Sequence, residues 1–304
     1  MAATRSYIGD GCHMADGFSD QFRLSITEAL SKQLYAALAR LEPAPLTREN
    51  LDALAPQAEK LGLPSMAGVY QLFRQEPGEE RQLTYVGKAD EPLPERLGNH
   101  LYKLSGREGI SIEEMSFKCL FVEEDLSSVS PEKMLIKEHL KTGKVVWNNR
   151  GFGNNDPGRN RDRTKIKANH FDLAFPVDLS RKVKGQTPGV QSLHSVLWEI
   201  KRGIPFLFRF KPSAAFKAKM VTVPDVEMTV DEAFRFVAQH LDEKWQICAL
   251  LGWVIMYDDG PSTYPSARRY YRPDGVTDQV PETKKPGKND ADDEDNDEVD
   301  DSDE

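Results

Sequence analysis

Only three cysteines, Cys12, Cys119 and Cys248, occur in 304 residues. They stand far apart with no paired spacing, so neither a disulfide framework nor a cysteine zinc site follows. Long apolar runs are missing too. No stretch approaches the roughly twenty residues that a membrane helix needs, and the first residues lack the apolar core of a secretory signal. The expected location is therefore the cell interior, in the cytoplasm. Hydrophobic residues make up 39% and charged residues 29% of the chain, a balance that suits a soluble globular protein with one large or two modest domains.

Basic charge looks scarce at first, because the formal net charge is -9. The deficit is local. Eleven of the 49 acidic residues fall between Asp290 and Glu304, where no basic residue occurs; the other 38 face 40 Lys and Arg, a surplus of two positive charges. A slightly basic body thus carries a strongly acidic tail. Such a tail has nothing to bury and reads as disordered. It either solvates the protein or competes with a polyanion for the basic surface.

What the chain does contain is concentrated between Gly68 and Asn148. The tripeptides Gly68-Val69-Tyr70 and Tyr85-Val86-Gly87 lie in two apolar runs of strand length. The polar segment from Arg74 to Gln82, with Pro77-Gly78 inside it, predicts a turn that pairs them as a hairpin. Lys88 follows the second run. Leu93, Leu97, Leu101 and Leu104 then predict a helix with one side against a core, and Arg96 and His100, four apart, share the opposite face. A third strand is expected over Ser116 to Val122. Ser130-Pro131 predicts the start of another helix, with Glu132 just ahead of an apolar run. The stretch closes on Val145-Val146-Trp147-Asn148.

In this order, two tyrosines, Lys88, Arg96, His100, Glu132 and Asn148 resemble the GIY-YIG nuclease superfamily, with valine replacing isoleucine in both tripeptides. The resemblance covers roughly residues 66 to 150. The following segment, Trp147 to Gly158, is similar to the type II restriction endonuclease branch. The implied fold is α+β, with a small mixed or antiparallel central sheet flanked by helices. The implied chemistry is one-metal hydrolysis of a DNA phosphodiester to 5'-phosphate and 3'-hydroxyl ends.

That hydrolysis needs a deprotonated water and stabilised charge on phosphorus and on the leaving oxygen. Glu132 offers an oxygen ligand for Mg2+, for which Mn2+ can substitute. Glu138 on the same predicted helix is the competing carboxylate. Arg96 can donate paired hydrogen bonds to phosphate oxygens, and His100 can orient water, accept a proton or grip a phosphate. By resemblance Tyr70 is the general base or water-positioning group, with Tyr85 beside it. A phenol needs a nearby cation for that role, and Lys88 is the expected one. Extra residues around Lys141 to Lys144 leave both Asn148 and Asn149 open as the family's asparagine. His139 and His170 read as ordinary histidines.

From Lys141 to Lys184 there are eleven Lys and Arg against four Asp. Arg150, Asn154, Asn155, Arg159, Arg161, Arg163, Lys165 and Lys167 are the expected DNA contacts, because glycine lets backbone approach a groove while arginine and asparagine can reach phosphates or base edges. The expected division is a helical region over 1–65, the nuclease-like domain over 66–187, a C-terminal α/β appendage over 188–280 and the acidic tail over 281–304. Within the appendage a helix is expected from Val190 to about Arg202, strands from Pro205 to Phe210 and Met220 to Met228, and a capping box at Thr229 to Glu232. Trp245 to Tyr257 fits a strand pair or a buried helix. Arg268 to Arg272 fits either nucleic-acid contact or a packed edge.

The expected function is a Mg2+-dependent, sequence-specific double-stranded DNA endonuclease of a restriction system, a homodimer, with a cognate methyltransferase as a possible member of the same system. A structure-specific repair or mobile-element nuclease, and a noncatalytic DNA-binding protein, are the alternatives.

Overall fold

A computed structural model describes residues 26–63, 65–122, 145–153 and 163–285. Residues 286–304 of the acidic tail, the first residues, and the predicted helix carrying Glu132, Glu138 and His139 lie outside the described residues; the start of the expected tail is ordered instead, Thr283–Lys284 pairing with Ile166–Lys167. The architecture is α+β, with several sheets flanked by helices.

The first half runs α1 (Ile26–Ala39), β1 (Ala44–Pro45), α2 (Arg48–Asp52), α3 (Leu54–Lys60), β2 (Gly68–Arg74), β3 (Gln82–Ala89), α4 (Leu93–Ser105) and β4 (Met115–Phe121). Its strands form one antiparallel sheet in the order β1-β4-β2-β3. The predicted hairpin is present, with Tyr70 opposite Gly87 and Leu72 opposite Tyr85. Period-two alternation then sorts the side chains. Tyr70, Leu72, Tyr85 and Ala89 face α4 and share a core with Leu93, Leu97 and Leu104, whereas Val69 and Val86 face the other way and pack with Leu38 of α1 and with Val145. Thr47 caps α2 by accepting the Asn50 amide, and proline in the first turn of α4 fits a position that has no partner for an N–H.

The second half comprises β5 (Ile166–Lys167), α5 (Phe171–Ala174), β6 (Gly189–Ser192), α6 (Leu193–Gly203), β7 (Phe208–Arg209), α7 (Ala214–Ala218), β8 (Met220–Val223), α8 (Val230–Ala238), β9 (Gln246–Leu250), β10 (Val254–Tyr257), β11 (Ala267–Arg272), β12 (Gly275–Asp278) and β13 (Thr283–Lys284). A five-stranded sheet, β12-β11-β9-β10-β7, carries α8 through Phe234 and Tyr271. Two smaller pairs, β6 with β8 and β5 with β13, complete the set.

Several expectations change here. Residues 190 to 192 are strand rather than helix, because Val190 pairs with Thr222 and Ser192 caps α6 by accepting the Ser195 amide. The strands expected over Pro205 to Phe210 and Met220 to Met228 shorten to β7 and β8. The ambiguous Trp245 to Tyr257 resolves into the antiparallel pair β9 and β10. The capping box at Thr229 and Glu232 is present with both reciprocal bonds. Arg268 to Arg272 is a packed strand: Tyr270 and Tyr271 are buried, Arg269 pairs with Asp231 and Asp278, and Arg268 pairs with Glu108.

The second core begins before the boundary expected at residue 187. Val177, Leu179 and Val183 already pack with α6 and α8 residues. A buried ion pair lies beside the first core, Arg107 Nη1 standing 2.9 Å from Asp172 Oδ1, and the same guanidinium donates to the Phe175 carbonyl and, toward the second sheet, to that of Leu251. Among the described residues no helix is long and apolar enough to cross a membrane.

Candidate active site

The face of the first sheet that meets α4 brings together Tyr70 and Tyr85 from the hairpin and Arg96 and His100 from the helix. Tyr70 Oη lies 2.6 Å from His100 Nε2, and Arg96 Nε donates to the same oxygen at 3.2 Å. The rings of Tyr70 and Tyr85 are 6.0 Å apart, and His100 sits 5.4 Å and 5.5 Å from them. The glycine of the second tripeptide makes this possible. A Cβ on Gly87 would fall onto the Tyr70 phenol and within 2.7 Å of Tyr85.

Electrostatics fix the charge states. Burial, aided by Arg96 and Lys103, holds His100 well below the usual histidine range, so its imidazole is neutral. Burial also works against the charge of Arg96, but the Tyr70 and Tyr85 phenols and Glu91 outweigh it, and the guanidinium stays protonated. Arg96 donates to the Tyr70 oxygen, and the same oxygen shares a hydrogen bond with His100 Nε2, whose donor is set by the tautomer of the imidazole. The Tyr70 oxygen thus meets a cation, Arg96, on one side and a neutral imidazole, His100, on the other. Cys119, opposite Tyr70 on β4, is held as the neutral thiol, since burial pushes it up to about 12.

Lys88 is not the cation of this group. It is offset by one residue from Gly87, so its side chain leaves the opposite face of the hairpin, beside Val69 and Val86, and its ammonium lies 2.9 Å from Asp90. Arg96 holds that place instead. His100 also departs from expectation, being buried on the core side of α4 rather than turned away from it.

Asn148 is drawn into the scaffold. Its Oδ1 accepts the Val86 N–H at 2.9 Å and its Nδ2 donates to the Val86 carbonyl at 2.8 Å, so its amide clasps the free edge of β3. The Trp147 amide donates to Thr84 on the same edge. Asn149 follows in the left-handed region, at φ 60°. The clasp aims the chain back over the site, where Phe152 stacks on His100 at 4.9 Å and contacts Tyr85 edge-on. The Gly153 carbonyl accepts from Arg96 Nη2 at 3.2 Å and the Phe152 carbonyl from Lys103 Nζ at 2.6 Å. Tyr70 is inaccessible to solvent and His100 is 4% exposed.

Lys103, Phe152 and Gly153 are thus site residues that the sequence reading passed over. Lys103 had a signal, since it continues the row of Arg96 and His100 at one further turn of α4; Phe152 and Gly153 had none, because their approach depends on the Asn148 clasp.

Glu132, Asn154, Asn155, Arg159 and Arg161 lie outside the described residues. Arg150, Arg163 and Lys165 are exposed. Arg150 borders a cavity of about 260 Å3 with Trp147, Phe171 and Phe175 on its wall, and Lys165 pairs with Glu282 at 2.8 Å. Lys167 is half-buried in β5. His170 is an ordinary capping histidine whose Nδ1 accepts the Asp172 amide. Among the described residues no three His, Cys, Asp or Glu side chains are grouped to hold a metal ion. Glu91, at the rim, lies 3.7 Å from Arg96.

No protein-family model matches the chain, and no curated protein matches it significantly.

Proposed function

We propose that this protein is a double-stranded DNA endonuclease that hydrolyses phosphodiesters to 5'-phosphate and 3'-hydroxyl ends, working as a homodimer in a restriction system. The observation that carries the reading is the convergence of a phenol, a guanidinium and a neutral imidazole: Arg96 and His100 both meet one oxygen, that of Tyr70.

Attack by water on phosphorus requires a proton acceptor and a counter-charge for the phosphoryl oxygens. In this reading Tyr70, as a phenolate beside the Arg96 guanidinium, takes the water proton, while His100, which burial keeps neutral, holds the phenol oxygen in place by its hydrogen bond. Arg96 lowers the cost of negative charge on the Tyr70 oxygen, and its Nη2, which donates to the Gly153 carbonyl in the free protein, can donate to a phosphate oxygen in its place. Tyr85, its ring 6.0 Å from that of Tyr70, is the second phenol available to orient the water. The carboxylate for Mg2+ in this reading is Glu132, as the family resemblance implies, with Glu138 its competitor. Magnesium held there would supply Lewis-acid stabilisation of the phosphate.

The test is digestion of a sequenced plasmid in Mg2+ and in EDTA, with the termini mapped and with Arg96→Ala and Glu132→Ala as controls. Fixed termini that need Mg2+ and vanish in both variants are expected. Scattered or branch-dependent termini would point to a structure-specific nuclease, and no cleavage in Mg2+ or Mn2+ would overturn the enzymatic reading.

A further inference from the structure

On the footing of that nuclease reading, we propose that Lys103 is a second DNA-phosphate ligand, and that the Phe152 and Gly153 carbonyls occupy, in the free protein, the places that phosphate oxygens take when DNA arrives.

Two cations on one helix, Arg96 and Lys103, lie seven residues apart, which is two turns, and so project from the same side. Both reach past their own helix to oxygens of consecutive residues, Gly153 for Arg96 and Phe152 for Lys103. Each of these acceptors is a neutral carbonyl. An anionic phosphate oxygen in the same position makes a charge-assisted bond, shorter and roughly twice as strong, so the exchange favours DNA. Lys103 also stands over the rings of Phe152 and Phe171, at 5.1 Å and 5.4 Å. Its ammonium is thus held in place before substrate binds.

The covering segment is built to seat and to leave. Its anchor is the pairing of Trp147 and Asn148 with β3, and beyond the anchor come two left-handed positions, Asn149 and Gly151. Gly153 has to be glycine, because a Cβ there would fall onto the Tyr85 hydroxyl. With the segment seated, Phe152 is 1% exposed and Tyr70 is sealed, so no phosphate can reach the phenol. Substrate must therefore lift Phe152 and Gly153, and the two cations they release are those that then grip the backbone.

The experiment measures binding of the full-length protein to a defined duplex in EDTA across a salt series, so it does not depend on cleavage. Each phosphate neutralised contributes about 0.9 to the slope of log affinity against log salt. Lys103→Gln is expected to reduce the slope by about 0.9, and Lys103→Arg to keep it. An unchanged slope in Lys103→Gln would overturn the proposal, since a lysine that only braced Phe152 would leave ion release untouched. A second readout needs no variant: hydroxyl-radical oxidation of Phe152 in the wild-type protein is expected to rise when duplex is added, and a constant or lower yield overturns the displacement. Duplex binding with these results but no cleavage in Mg2+ sinks the nuclease reading and leaves the phosphate site standing. Cleavage with an unaltered slope does the reverse, and failure to bind duplex sinks both.

Discussion

Tyr70 and His100 come from a strand and a helix thirty residues apart, and a 2.6 Å hydrogen bond joins them inside the core. The imidazole is neutral because burial and the Arg96 and Lys103 charges oppose its protonation. An acid sensitivity with a definite sign follows. The folded pKa lies below the unfolded value of about 6.5, so between the two the unfolded chain binds a proton that the folded chain refuses. The stability contribution is complete above pH 6.5 and is lost as pH falls toward the folded value, at up to about 1.4 kcal/mol per pH unit. Urea denaturation at pH 7.5 and pH 5 should show His100→Gln losing less stability on acidification than the wild-type protein. Equal losses would mean that His100 is charged in the fold.

Asn148 makes the opposite kind of prediction, one about stability where the sequence suggests chemistry. Its amide satisfies both backbone groups of Val86, a residue with no solvent exposure. Asn148→Ala should cost about 1–3 kcal/mol by leaving those groups unpaired. The denaturation midpoint is the measurement, and an unchanged midpoint with lost activity would restore Asn148 as a group that meets substrate.

These two residues also mark what a sequence can carry. The hairpin was legible because Pro77-Gly78 and period-two alternation are local signals, and α4 because its leucines repeat at helical spacing. Arg96 and His100 followed from the same spacing. Lys88 was misassigned because which face it takes depends on the pairing of Tyr70 with Gly87, and register is a property of two strands. The burial of His100 was hidden for a similar reason: the ring that covers it, Phe152, is delivered by a clasp between Asn148 and Val86. Val190 reads as the first turn of a helix until Thr222 arrives beside it.

Arg107 and Asp172 form an ion pair beside the first core with side chains only 3% exposed each. Burial drags the Arg107 pKa down and Asp172 works against that, so removing either partner strands a charge in the interior. Arg107→Met should destabilise the protein by about 3–5 kcal/mol, and pairing it with Asp172→Leu should recover much of the loss. Chemical denaturation of the single and double variants gives the coupling. Additive losses would show that the contact is not a coupled pair.

Arg96 is where geometry rather than charge is at stake. Its Nε donates to Tyr70 while Nη2 reaches Gly153, so one planar group spans two acceptors set by different elements. Lysine preserves the positive charge but offers a single point on a flexible stem, and it cannot hold the phenol oxygen and a phosphate at once. Burial also penalises its charge, and an ammonium yields its proton more readily than a guanidinium. Arg96→Lys should therefore keep the fold, with a denaturation midpoint close to wild type, while the plasmid nicking rate in Mg2+ drops by about 10²-fold or more, the scale of losing one preorganised donor. Arg96→Ala should fall at least as far. If Arg96→Lys nicks at the wild-type rate, a positive charge is all the site requires there, and the shared hydrogen bond at Tyr70 has no part in the chemistry.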